Sequence, residues 1–217
     1  MKKLLGISAL TLLPLAANAG LIGGLTLESG LWQTGIDGNA MGFSIGPNVA
    51  YTHDRYFGSF GFTLGSYEDS NAQSTIGQNE IDLSVGYRVL PMASAFVGLR
   101  QTFLSYTNKP IELEFKDNIT TVGAGVAVNY PLTNKLFIVG ATSLGIPFAS
   151  YSSDNQAEVT GNGFRTSLEA GATYRLNRQS SLNARLKGQN LVVNYDATQS
   201  SWNTSTWKLS LGLTHAF

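Results

Sequence analysis

The sequence contains no cysteine, which excludes disulfides, thiolate metal sites and dithiol redox chemistry. Charge is scarce as well. Only 13% of residues are charged, with 14 basic and 14 acidic, so no basic patch for nucleic acid exists. Histidine occurs twice, at His53 and His215, leaving little material for general-base catalysis. No apolar run reaches the ~20 residues of a membrane-spanning helix, and helical periodicity is missing after Gly20. The acidic residues do not follow the spacing of a calcium loop, and glycine-containing stretches such as GVAVNY lead into no helix that could cradle a phosphate. Neither a metal nor a cofactor is expected.

The N-terminus reads MKKLLGISALTLLPLAANAG. Lys2 and Lys3, an apolar run from Leu4 to Leu15 and the small residues Ala17-Asn18-Ala19 form a secretory signal with an A-x-A cleavage site. The expected organisation is a leader over 1–19 and a single domain over 20–217. Without Lys2 and Lys3, 12 basic residues stand against 14 acidic, a net charge of about −2. The 24 glycines, 9 tyrosines and 11 phenylalanines point to β-structure with aromatic anchoring.

What the rest of the chain does contain is period-two alternation, repeated ten times: about 21–34, 40–52, 55–67, 79–90, 93–106, 118–131, 135–148, 163–176, 180–194 and 204–217. In EIDLSVGYRV, Ile81, Leu83, Val85, Tyr87 and Val89 share one face and Glu80, Asp82, Ser84, Gly86 and Arg88 the other. A soluble sandwich turns such apolar faces inward, whereas a membrane barrel turns them towards lipid. Alternation alone does not separate the two.

Three further features favour the barrel. Short connections at 53–55, 90–92, 131–134 and 176–179 alternate with longer ones at 68–78, 107–118, 154–162 and 196–203, only 36–40 being brief; short turns on one side of a membrane and long loops on the other fit this pattern. The aromatics of the apolar face sort by end. Tyr51, Tyr56, Tyr87, Tyr130, Tyr174 and Phe217 fall at the short-turn end, and Phe43, Phe103, Phe148, Phe164 and Trp207 at the other, as two girdles at the membrane boundaries would. Between them the apolar face carries no charge, and a strand of about thirteen residues tilted about 40° crosses a ~25 Å apolar band. The expected fold is all-β: a closed antiparallel up-and-down transmembrane barrel of ten strands, or eight. In strand nine, Leu182, Ala184 and Leu186 fall on even positions but Leu191, Val193 and Tyr195 on odd ones, so a bulge near Gly188 is expected.

The leader, the alternating connections and the last strand WKLSLGLTHAF resemble a Gram-negative outer-membrane β-barrel protein. In that family a C-terminal phenylalanine preceded by alternating apolar residues is read by the barrel-insertion machinery. Leu209, Leu211, Leu213 and Phe217 match this signal, while His215 stands where an apolar residue is more usual. The resemblance implies an outer-membrane location, contact with membrane lipid and lipopolysaccharide, and a last strand that closes against the first.

In this register Glu28, Glu80, Asp82 and Glu169 face inward with Arg88, Arg100, Arg165, Arg175, Arg185, Lys187 and Lys208, seven cations against four carboxylates or about +3. Trp32, Phe96, Tyr106 and Phe137 also point in. A ten-stranded barrel is little wider than one whose lumen side chains fill, so a mostly filled lumen is favoured over an open, anion-selective path. The long connections hold Asp37, Glu68, Asp69, Glu112, Glu114, Asp117, Asp154, Glu158 and Asp196 against Lys109 and Lys116, an acidic collar of about −7. The leading expectation is a non-enzymatic, narrow channel or structural membrane protein. A surface adhesin or ligand-binding barrel with acidic loops comes second, its extracellular ligand unknown. A hydrolase comes last, since His53-Asp54 lies in a short turn, His215 faces lipid, and Glu68-Asp69 has no histidine on its side of the molecule.

Overall fold

Alternating residues extend the chain because apolar and polar groups need opposite faces. The computed structural model describes residues 20–34, 38–69, 73–108, 113–153, 156–195 and 200–217. Its strands are β1 (Gly20–Thr34), β2 (Gly38–His53), β3 (Tyr56–Asp69), β4 (Ser74–Leu90), β5 (Ala93–Asn108), β6 (Leu113–Pro131), β7 (Leu136–Ser153), β8 (Gln156–Arg175), β9 (Ser180–Tyr195) and β10 (Ser200–Ala216). Each pairs antiparallel with its sequence neighbours, and β1 pairs with β10 from Ile22↔Ala216 to Thr34↔Thr204, closing the barrel. Ten strands form, not eight. The Phe217 N–H donates to the Leu21 carbonyl at 2.9 Å, so the seam is tied to its last residue.

Register sets the shape. Followed from Ile22 through Ala50, Ser59, Ser84, Gly98, Gly123, Gly145, Arg165, Leu191 and Thr204, the pairing returns to β1 at Thr34, twelve residues beyond its start. With ten strands that stagger corresponds to a tilt of about 40° and a backbone radius of about 10 Å. It also levels the aromatic residues at the end away from the termini. Direct pairing would align Phe43 with Ser105, Phe103 with Ser150 and Phe148 with Asn162, yet Phe103, Phe148 and Phe164 each lie two residues closer to the terminal end. Successive descents of this kind keep a ring horizontal on tilted strands.

The barrel is apolar outside. Leu25, Leu83, Val97, Val122, Leu144, Leu186 and Leu211 are exposed, whereas Glu28, Glu80, Arg100, Arg165, Glu169 and Lys208 are buried. At the terminal end the connections are tight. Asp54 adopts a left-handed conformation (φ 52°), tolerable for Asp in a turn. The Thr133 hydroxyl accepts the Lys135 and Leu136 N–H groups at 3.2 and 3.0 Å, and the Asn177 side-chain oxygen accepts those of Gln179 and Ser180, both at 2.8 Å.

Two expectations are corrected. The long connections are mostly strand: β4 starts at Ser74, β6 at Leu113 and β8 at Gln156, inside segments 68–78, 107–118 and 154–162. Their polar residues had marked them as loops, but much of that polarity, as at Glu68, Glu114, Lys116 and Asn118, belongs to the outward face, which has risen out of the apolar band. Nor is there a bulge near Gly188. The β9–β10 register runs unbroken from Tyr195↔Ser200 to Ser180↔His215, so Leu191 and Val193 point inward and are fully buried. Register shifts occur instead between Arg88 and Leu90 and between Tyr151 and Ser153.

Candidate functional site

The interior is built in tiers. Nearest the end opposite the termini, Trp32, Tyr67, Ile76, Leu104, Ile119, Leu191 and Val193 form one buried apolar cluster, with Tyr106 and Tyr195 packed against it. The Trp32 and Tyr67 rings meet edge-to-face, 5.3 Å between centroids, a favoured aromatic geometry. Trp32, Ile119, Leu191 and Val193 are each 0% exposed.

Below the cluster lies a belt of ions. Glu28 receives Lys187 Nζ at 2.5 Å and Lys208 Nζ at 3.2 Å. Ser44 joins them, its hydroxyl donating to Glu28 and accepting from Lys208, both at 3.1 Å. Arg100 bridges Glu80, at 3.0 Å, and Asp82. Arg185 pairs with Glu169 at 2.6 Å, and Arg165 donates to the Thr121 hydroxyl at 3.0 Å. The Lys208 ammonium also sits 5.0 Å from the Tyr67 ring centre, joining belt to cluster by a cation–π contact. Arg88 and Arg175 are not in this belt. Both are half-buried at the terminal end, where Arg175 stacks over Phe137 at 5.1 Å. The belt therefore sets five cations against four carboxylates, nearer to balance than the expected +3.

All eleven aromatics assigned to the two girdles point outward. Tyr51, Tyr56, Tyr130, Tyr174 and Phe217 are exposed at the terminal end, as are Phe43, Phe103, Phe148, Phe164 and Trp207 at the other. Tyr87 is half-covered by Tyr56, 5.1 Å away, and accepts from Arg55 at 3.3 Å. Leu209, Leu211 and Leu213 are exposed along β10. The acidic collar is corrected. Asp69 and Asp117 point inward and are buried, and the Tyr195 hydroxyl donates to Asp117 at 2.9 Å. Glu68 and Glu114 are exposed, whereas Asp37, Glu112, Asp154, Asp196 and Lys109 lie outside the described residues, as does the Glu158 side chain.

Residues 4–214 match the family described as outer membrane protein beta-barrel domain. The chain belongs to this family. No curated protein matches it in sequence. Among solved structures, outer-membrane protease OmpT from Escherichia coli is 11% identical with a TM-score of 0.58, the match covering 92% of this chain and 95% of that one. The translocator domain of autotransporter NalP from Neisseria meningitidis is 12% identical over 92% and 88%, with a TM-score of 0.55. Neisserial surface protein A is 13% identical over 92% and 99%, with a TM-score of 0.51. At such identities these likenesses show the fold alone. Family and fold together make the chain an outer-membrane β-barrel of a Gram-negative envelope, surrounded by membrane lipid and inserted by the machinery that serves such barrels.

The outer-membrane setting fixes the meaning of the apolar wall. Leu144 is 69% exposed and lies midway along β7 between Ile138 and Phe148, at the level of the acyl chains. Leu144→Arg should destabilise the barrel by about 2–4 kcal/mol in lipid vesicles, measured by urea titration of tryptophan fluorescence. Ser152→Arg, four residues beyond Phe148, should change little.

The histidines lie at the terminal end. His53 Nε2 stands 3.7 Å from Asp54 Oδ2 in an exposed turn. His215 Nδ1 lies 3.0 Å from the Ser180 hydroxyl, its ring edge-on to Phe217. Among the described residues no three His, Asp or Glu side chains gather as a metal site. Sequence reasoning missed the apolar cluster, because it placed Leu191 and Val193 beyond a bulge and Ile76 inside a loop. No sequence signal separates a bulged strand from a continuous one there; the unbroken β9–β10 register shows that no residue is inserted at Gly188.

Proposed function

We propose that this outer-membrane barrel is a non-enzymatic structural protein whose lumen does not conduct. One observation carries the reading: the apolar cluster seals the barrel above an ion-paired belt, with Trp32, Ile119, Leu191 and Val193 wholly buried. An ion entering there would shed its hydration against hydrocarbon side chains, and apolar constrictions of this kind close pores by dewetting. Purified barrel in planar bilayers should give no discrete current steps, and regular steps from folded protein would overturn the reading. The positions of His53 and His215 argue against hydrolysis, since among the described residues His53 is paired with Asp54 alone and His215 with Ser180 alone. The proposed mature chain starts at Gly20 after loss of residues 1–19, and Leu209, Leu211, Leu213 and Phe217 serve as its insertion signal. Tyr51, Tyr56, Tyr87, Tyr130, Tyr174 and Phe217 meet the inner boundary of the membrane, and Phe43, Phe103, Phe148, Phe164 and Trp207 meet the lipopolysaccharide leaflet.

A second reading, ligand binding at the cell surface, is favoured by the height of the outer wall. Phe164 lies eight residues inside β8, so the strand rises roughly 20 Å above that ring at ~3.3 Å per residue and about 40° of tilt. Removing residues 105–116, which pair at Ser105↔Lys116, should then abolish attachment to an extracellular partner while leaving insertion intact.

A further inference from the structure

On the terminal side of the ion belt the inner wall loses bulk. Gly61, Gly98, Gly123 and Gly145 turn inward there beside small polar residues, and they surround a cavity of about 60 Å³. At ~10–15 Å³ for each water-sized occupant, that is room for roughly four to six waters or one small polyatomic ion.

The belt's charges are sorted around this space. Its charged lining consists of Arg100, Arg165, Arg185, Lys187 and the single carboxylate Asp82, which Arg100 already holds. Glu28 and Glu80 line a separate gap of about 10 Å³ with Asp82 and Lys187, and Glu169 lines neither. The cavity thus meets the cationic edges of pairs whose carboxylates lie mostly elsewhere. Arg185 gives one N–H to Glu169, while its buried Nε has no acceptor among the described residues. A buried charged donor left without an acceptor is expensive. Neutral donors complete the lining. The Asn183 carbonyl is engaged by Thr173 at 2.8 Å, which leaves its amide N–H groups to donate. The Thr121 oxygen accepts from Arg165, which leaves its hydroxyl proton.

We propose that this cavity binds one small inorganic oxyanion of the size of phosphate or sulfate. Guanidinium, ammonium, amide and hydroxyl donors around a space of that volume fit a compact multivalent anion, since charge-assisted hydrogen bonds are the strong ones. The site depends on its lining and not on the closed outer end, so it stands apart from the question of conductance.

Equilibrium dialysis of the whole detergent-solubilised barrel against radiolabelled sulfate or phosphate, at fixed ionic strength in chloride, tests it. A single saturable equivalent per barrel is expected. Gly61→Leu is the decisive variant, because a Cβ at Gly61 would meet only Asp82 Cβ, at 3.8 Å, and the added side chain would fill the cavity without removing any ion pair. It should abolish binding while the barrel still migrates as folded. Gly58→Leu, outside the lining and equally open with Ser84 O at 3.8 Å, should bind as the parent does. Label no higher than in a protein-free detergent blank, or binding that survives Gly61→Leu in folded protein, would overturn the proposal; the second result would mark adsorption at the surface.

Discussion

Glu28→Gln should cost the barrel about 3–5 kcal/mol, the usual penalty for removing one partner of a buried ion pair. Among the described residues only Glu28 pairs with two ammonium groups, Lys187 and Lys208, and all three side chains are buried. Glutamine keeps the shape and one acceptor but leaves two cations in a low-dielectric interior. The position magnifies the effect. Glu28 belongs to β1, Lys208 to β10 and Lys187 to β9, so the trio spans the closing seam and joins residues 180 and 159 positions apart. Urea midpoints from heat-modifiable gel migration would read the loss. Replacing the whole trio, Glu28→Leu with Lys187→Met and Lys208→Met, should restore most of it, because exchanging a complete buried ion cluster for apolar groups is often near neutral. A loss below about 1 kcal/mol for Glu28→Gln, a value normal for exposed pairs, would show that the trio is hydrated.

Trp32→Ala combined with Leu191→Ala should turn a silent barrel into a leaky one. Trp32 is the largest fully buried side chain among the described residues, and Leu191 lies in the same cluster. The tryptophan truncation alone should destabilise by about 3–5 kcal/mol, and together the two remove the centre of the seal. Discrete current steps in planar bilayers, absent from the parent, are the expected readout. If folded double-variant protein stays silent, the cluster is not the barrier and the ion belt below it is. Tyr106→Ala, at the margin of the cluster, should leave the parent silence unchanged.

Both experiments address residues that a linear reading treated unequally. Glu28, Lys187 and Lys208 were legible as inward-facing because they alternate with leucines on strands whose outward face is mostly apolar. Their pairing was not, since β1 and β9 are not paired strands but flank β10, and contact between their side chains depends on barrel curvature and stagger. Leu191 was misread. On the membrane-facing part of a strand the apolar residues point out; above the aromatic ring, water covers the outer wall and the apolar residues point in. Asn190 and Asn194 flank Leu191 and Val193 on the outward face of β9, just as Ser105 and Thr107 flank Tyr106 on β5. The rule inverts within one strand, and an inversion looks the same in sequence as an inserted residue. Ile76 illustrates the same point on β4, where polar residues made strand resemble loop. Asp117 follows it too, having joined an acidic collar on paper while hydrogen-bonding to Tyr195 inside.

By itself the sequence determined the class of environment and the architecture. Period-two alternation, repeated with aromatic ends and without charge on one face, can only bury its polar half by closing a sheet around it, and closure with every edge paired yields a barrel. Only the tertiary structure decided where the buried apolar cluster lies in the lumen and which charges meet. A twelve-residue stagger brings residues far apart in the chain to one level, and side chains from opposite walls touch or leave space according to their combined bulk, a quantity that no single strand contains.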